Sequence, residues 1–442
     1  LTGLGISVML LLVYLAFENP GEYTDHQTGC YNRFAFDSVL NEKMHSEKPF
    51  DIISVVIDEL DAVITRFGYA ESHRLMKEMA DFLTSLSSKN VYVYRDDCFA
   101  FFSDNEGTTE TVCCAIRKRL GGTWVLQGMP VAVSAHADVL RFPDFAHNCA
   151  EVNDILKYAG EHVESGKPVN VIDKKCADGF KHETELVALL KNAVENDGFD
   201  VYYQPIYNLE KEKYTSAEAL IRLSDTGSFG QVSPDEFIPV AEKNGLITDI
   251  GNIVLKKVCR FISGNRINEL GIDYVEVNLS GVQIVNSSLP DDIMAVLNEH
   301  NVPSHFLNFE MAETAETSNH MAVNIHRIRS GGSGFSLEDF GKVGSGLSKI
   351  TDNGFDIIKL DKSLVQPCLD RENKKAGIIL ESLIGMIRQL GIEIAAEGVE
   401  TEEMANELIA DGVNYLQGYY YSRPLSEGKF LEFIKQHNMK GT

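Results

Sequence analysis

The residues able to do chemistry are acids and amides placed at the ends of short apolar runs. Glu218 lies in TSAEALIRL, Asn278 in YVEVNLS and Glu310 in LNFEMAE. Glu338 and Asp339 follow GFSL, Lys359 and Asp361 lie in IIKLD, Glu397 follows IEIAA, and Gln417 sits in NYLQGYY. A charge buried in a strand is costly unless it is paired or liganded. Half a dozen acids brought to one place repel one another, and a divalent cation is the natural remedy. An oxygen-rich set without His or Cys points to Mg²⁺ or Mn²⁺ rather than zinc. Two such cations can polarise a phosphate and acidify a water, which suits phosphoester hydrolysis. Lys359 could then orient the water or offset charge on the phosphate, and Arg222 could grip a phosphate oxygen bidentately. An enolase-like enzyme, abstracting a carbon-bound proton with Mg²⁺ and Lys359, fits the same spacing nearly as well.

Such a set needs a scaffold that brings many strand ends to one side. From about 183 to 436 the chain alternates short apolar strands with helical stretches. The strands are VYYQPIY, TSAEALIRL, YVEVNLS, LNFEMAE, GFSLEDF, FDIIKLD, IEIAAEG and NYLQGYYYS. Eight strands in roughly 250 residues is the arithmetic of a (β/α)8-type barrel. Residues 25–172 read differently, as a single α/β sandwich. Its strands are DIISVVID, VYVYR turning at Asp96–Asp97 into CFAFFS, and MPVAVSAHADVL, set among amphipathic helices. The fold class is therefore α/β, with a linker at 173–182 between the two domains and a tail at 437–442.

The composition bounds the partners. The 442 residues carry a net charge of −25 and are 44% apolar. Such a chain repels DNA or RNA duplexes, so a phosphate substrate must be neutralised locally. Eight cysteines without a C-x-x-C pair fit neither a zinc knot nor a disulfide ladder, and reduced thiols are expected. Residues 4–17, LGISVMLLLVYLAF, are almost wholly apolar but short of the about 20 that a bilayer requires. Within residues 1–24 this run is read as the end of a membrane helix, the alternative being a buried or interfacial helix. The membrane reading places both domains in the cytoplasm, tethered to the inner face of the cell membrane.

Residues 183–436 resemble the EAL family of cyclic di-GMP phosphodiesterases. The matching segments are YYQPI at 202–206, EALIR at 218–222, FIPVAEKNGLITDIG at 237–251 and VNLS at 277–280. They continue with EMAE at 310–313, EDFG at 338–341, KLD at 359–361, AEGVE at 396–400 and QGYYYSRP at 417–424. The resemblance implies hydrolysis of cyclic di-GMP to linear pGpG with two Mg²⁺ or Mn²⁺ ions. It implies Glu218, Asn278, Glu310, Glu338 and Asp339 as metal ligands, with Lys359 and Glu397 activating water and Gln417 in the same shell. Gln204, Arg222 and Asp361 would face the dinucleotide. Glu313 would support the loop after the EDFG strand, a loop that the family links to homodimer formation.

Residues 25–172 resemble the GGDEF family, through DHQTGCYNRFAF at 25–36. The signature loop, however, has become Arg95-Asp96-Asp97-Cys98-Phe99. Side chains replace the glycines that admit GTP. The metal-binding pair is reduced to Val56 and Asp58, the guanine-facing positions are Ile64 and His73, and the inhibitory motif has become Leu86 to Lys89. No cyclase activity is expected from this degenerate domain.

The barrel departs from its family where the usual Asp-Asp before FG is Glu338-Asp339 and the following loop is KVGSG at 342–346. Slow or conditional hydrolysis therefore stands beside two alternatives. One is a receptor that binds cyclic di-GMP without turnover, and the other is a signalling scaffold.

Overall fold

The computed structural model describes residues 23–46, 48–86, 90–162, 167–315, 318–342, 350, 354–369 and 374–439. The apolar run 4–17, Lys89 and most of the 342–346 loop lie outside the described residues. Among the described residues no helix is long and apolar enough to cross a membrane. The cysteines at 30, 98, 113, 114, 149, 176 and 259 are free thiols. The chain divides into two compact units, Leu1–Thr184 and Glu185–Thr442, and the division falls inside the helix Lys174–Glu195.

The first unit is built on β1 (Phe50–Ile57), β2 (Val91–Arg95), β3 (Cys98–Ser103), β6 (Ala135–Phe142) and β7 (Val169–Val171), in the order β2-β3-β1-β6-β7. The central strand β1 is buried along its whole length. Its residues alternate between two cores, as a period of two requires. Ile53, Val55 and Ile57 join one core, and Ile52 and Val56 the other. Asn32 starts the helix Arg33–His45 by accepting a hydrogen bond from the Ala35 amide. The expected single strand over 129–140 is two strands. β5 (Met129–Ala132) pairs with β4 (Thr123–Leu126) in a separate hairpin, and only β6 enters the sheet. The turn at Gln127–Gly128, both with positive φ, explains the excursion.

The second unit is a closed barrel of β8 (Phe199–Asn208), β9 (Lys213–Leu223), β10 (Tyr274–Leu279), β11 (Leu307–Ala312), β12 (Gly334–Phe340), β13 (Ile357–Leu360), β14 (Glu393–Ala396) and β15 (Tyr415–Leu416). A short β16 (Leu425–Ser426) also pairs with β8. From β9 to β15 neighbouring strands are parallel. The first strand is not: β8 runs antiparallel to both β9 and β15. Only residues 209–212 join β8 to β9, too few for the crossover that a parallel pair needs.

Apart from the end of β12, polar and apolar residues alternate along these strands. Ala217, Val275, Val277, Phe309, Phe335, Leu337 and Ile358 belong to the apolar core that also takes in the surrounding helices. Their neighbours in sequence, among them Ser216, Glu218, Glu276, Glu310 and Lys359, are the buried polar residues of the same strands. A separate small cluster of Ile206, Ile357, Ala395 and Tyr415 supplies an apolar layer.

Candidate active site

Register brings the polar residues together. Glu218 is paired with Gln204 on one side and Glu276 on the other, Asn278 with Glu310, and Lys359 with Ala395. Lys359, fully buried, is the hub. Its ammonium lies 2.6 Å from Glu310 Oε1, 2.7 Å from Glu397 Oε1, 3.3 Å from Glu276 Oε2 and 3.4 Å from Glu218 Oε2. Glu218 is held from two further sides. Gln417 Nε2 donates to Oε2 at 2.6 Å and Asn278 Nδ2 donates to Oε1 at 3.1 Å. Gln204 accepts a weaker bond from Gln417 and donates to the Ser422 carbonyl.

Glu338 and Asp339 are consecutive, yet both carboxylates reach the mouth. In a regular strand, successive side chains point to opposite faces. Here the register of β12 against β13 slips between Leu337 and Phe340, and Asp339 takes a φ of 58°. Asp tolerates this left-handed conformation better than most residues, and a bulge of this kind re-aims a side chain. Gly341 completes the turn with a φ of 94°, where a Cβ would press on Leu364. Its amide donates to Glu313 Oε2 at 3.1 Å. Glu313 thus ties the end of β11 to the bulge.

The acids form two groups that share one member. Oxygens of Glu218, Glu310 and Glu338 lie within 4.8 Å of one another, and so do those of Glu338, Asp339 and Glu397. Glu310 has no exposed surface, and the Lys359 ammonium lies against its Oε1. Spare lone pairs on clustered carboxylates fit a hard divalent cation at each group. Two clefts flank the acids. One of about 800 Å³ opens beside Glu218, Asn278, Glu338 and Asp339, and one of about 230 Å³ beside Gln204, Glu397 and Gln417.

Protonation follows from this crowding. Burial and then the charge of Glu276 push the Glu310 carboxyl well above its ordinary range, and burial and then Glu218 do the same to Glu338. Burial also raises Glu397, to about 7, although Lys359 opposes it. Burial would raise Glu218 too, but Lys359, Gln417 and Asn278 outweigh it and hold the carboxyl low. Burial works against the Lys359 ammonium, and the surrounding carboxylates overcome it, leaving the lysine firmly charged.

Two expected substrate residues are engaged locally. Asp361 is buried and caps the short helix Lys362–Val365, accepting from the Ser363 amide at 2.8 Å. Arg222 donates to the Ile221 carbonyl and lies 5.9 Å from the Tyr202 ring. Lys342 pairs with Asp339 at 3.0 Å. Glu276 is the residue that the sequence reading missed. Its signal was present, because it stands two residues before Asn278 and so shares that residue's strand face.

This fold and mouth define a (β/α)8-like barrel whose clustered carboxylates are consistent with divalent-cation binding. The chain belongs to the EAL domain family, whose model matches residues 188–424. The signaling protein YkoW of Bacillus subtilis (strain 168) is 35% identical over 431 residues, covering 93% of this chain and 52% of that protein. The structure of the EAL enzyme Bd1971 with cAMP and cyclic di-GMP bound is 28% identical, with a TM-score of 0.54 over 59% of this chain and 70% of that one. The PaMucR phosphodiesterase in complex with c-di-GMP is 29% identical, with a TM-score of 0.52 over 56% of this chain and 99% of that one. This chain spans about half the length of the curated relatives it matches.

Proposed function

We propose that the barrel hydrolyses cyclic di-GMP to linear pGpG, using two divalent cations, Mg²⁺ or Mn²⁺. The observation that carries this reading is the pair of three-carboxylate groups sharing Glu338 around the buried ammonium of Lys359. Its substrate rests on likeness to the PaMucR phosphodiesterase and to Bd1971 with cyclic di-GMP bound. Glu218, Asn278, Glu310, Glu338 and Asp339 would hold the cations, which when bound polarise the phosphoryl oxygens and acidify water. Glu397, its carboxyl raised to about 7, is matched to accept the proton of the attacking water near neutrality. The water oxygen joins phosphorus, the bond to the 3′ oxygen breaks, that oxygen takes up the proton left on Glu397, and the ring opens at that point. Lys359 offsets negative charge gathering on the phosphate from a fixed, dry position. Gln417 orients Glu218, while Gln204, Arg222 and Asp361 are assigned to the dinucleotide side.

The degenerate GGDEF reading assigns the first unit no cyclase activity. Asp58, the acid retained beside Val56, is taken up by Ser134 and His136. Arg95 is bonded to Asp97 within the altered loop, and Cys98 is buried. The unit then serves a positional role, and the barrel pairs with a second copy as a homodimer. Incubating the chain with Mn²⁺ and cyclic di-GMP and resolving the nucleotides tests the main proposal, with pGpG the expected product. Binding without product would favour the receptor reading. The Glu338 substitution and the Lys342–Asp339 pair are the observations on its side.

A further inference from the structure

We propose that Glu276 is a positioning residue, the permanent counter-ion that keeps the Lys359 ammonium in place when cations engage the other acids. The role deepens the hydrolytic reading and rests on it. Four carboxylates surround Lys359. Three of them belong to the cation groups, Glu218 and Glu310 to one and Glu397 to the other. Glu276 belongs to neither. Once Glu218 and Glu310 turn oxygens toward a cation and Glu397 serves the attacking water, Lys359 keeps one partner with no other duty.

The geometry of Glu276 suits that duty and little else. It lies in β10 on the same face as Asn278 but one pleat deeper, with 1% of its surface exposed. Its Oε2 makes no hydrogen bond and faces the ammonium at 3.3 Å. Val275 and Val277 on either side are packed into the apolar core, so the strand cannot turn to release it. A carboxylate in that position is uncompensated without Lys359, and Lys359 in a cation-filled site has no dedicated partner without Glu276. The pair therefore sets how far the ammonium sits from the attacked phosphate. A residue acting this way should affect the reaction step more than substrate or cation binding.

Crystals of the 442-residue wild-type chain soaked with Mn²⁺ test the idea without relying on turnover. The expected result is Lys359 Nζ within salt-bridge distance of Glu276, with Glu276 off the metal. Glu276 bound to Mn²⁺, or Lys359 withdrawn from it, would overturn the proposal. Glu276→Gln keeps the shape and removes the charge. Its Mn²⁺ stoichiometry, read from the electron paramagnetic resonance of free Mn²⁺, should equal that of wild type. A lost Mn²⁺ would instead make Glu276 a ligand and sink the assignment. In turnover, kcat should drop about tenfold with KM within about twofold, and Glu276→Asp should recover part of the loss. An unchanged kcat in Glu276→Gln overturns the role. A wild-type chain without turnover defeats the hydrolytic reading alone, and the soaked crystal still decides where Lys359 sits.

Discussion

The ammonium of Lys342 stands 3.0 Å from Asp339 Oδ2, at the edge of the acid group formed by Glu338, Asp339 and Glu397. A positive charge belonging to the chain thus sits beside oxygens suited to a cation. The lysine is half exposed, so solvent screens the contact and its energetic worth is small. Lys342→Ala is expected to tighten the weaker of the two proposed Mn²⁺ sites by about two- to fivefold. Free Mn²⁺ titrations of both proteins at low ionic strength would measure this. Unchanged affinity would mean that the ammonium does not compete.

Glu338 serves both acid groups, so its length matters twice. A longer side chain at a position that the family fills with aspartate should misalign water and phosphate more than it weakens binding. Glu338→Asp should raise turnover about tenfold, an effect on the barrier of about 1.4 kcal/mol. Glu218→Ala should abolish turnover by deleting a ligand. Rates of pGpG formation settle the matter, and an unchanged rate for Glu338→Asp would show that the length of Glu338 does not limit turnover.

Without cations, Lys359 is the charge that makes so many buried acids tolerable. Lys359→Met should cost about 3–5 kcal/mol in unfolding free energy when measured in chelator, because buried carboxylates lose their partner. Mn²⁺ should return part of that loss. Denaturant unfolding with and without Mn²⁺ reads both numbers, and equal stability of mutant and wild type in chelator would contradict the hub role.

A separate pH effect belongs to the first unit. Burial works against the charged form of His136, but hydrogen bonds and charge from Asp138 and Asp58 raise its pKa to about 9. An unfolded histidine titrates near about 6.5. The imidazolium therefore contributes fully below about pH 6.5, and its contribution disappears as pH rises through about 9. Trp124, the single tryptophan, is buried in this unit and reports its unfolding. Its denaturation midpoint should fall between neutral and strongly alkaline pH, and His136→Gln should flatten that slope. A wild-type midpoint that holds steady across the range would rule the contribution out.

Much of the barrel was legible because its strands are short apolar runs with a polar residue at fixed parity. Alternation alone predicts that Glu218, Asn278, Glu310 and Lys359 share an interior. Three features were hidden. The reversal of β8 depends on a connection too short for a crossover, which reads in sequence as one more gap between strands. The shared direction of Glu338 and Asp339 depends on a bulge, and strict alternation would send one of them outward. Glu276 escaped because Val-Glu-Val resembles an ordinary half-exposed strand until the barrel closes around it. In the first unit, β5 merges in sequence with the neighbouring β6, since apolar alternation does not mark where a chain leaves a sheet.

The reversed first strand also fixes when the site comes into being during folding. β8 and β9 are joined by a tight connection and can pair early, because little loop entropy opposes contacts between near neighbours. The other edge of β8 waits for β15, some two hundred positions later, and that seam has only two paired residues on each strand. Gln417 lies just beyond the seam and reaches back across it to Gln204 and Glu218. Barrel closure thus supplies the Gln417 hold on Glu218, so a chain still emerging from the ribosome carries the acids before it carries the complete site.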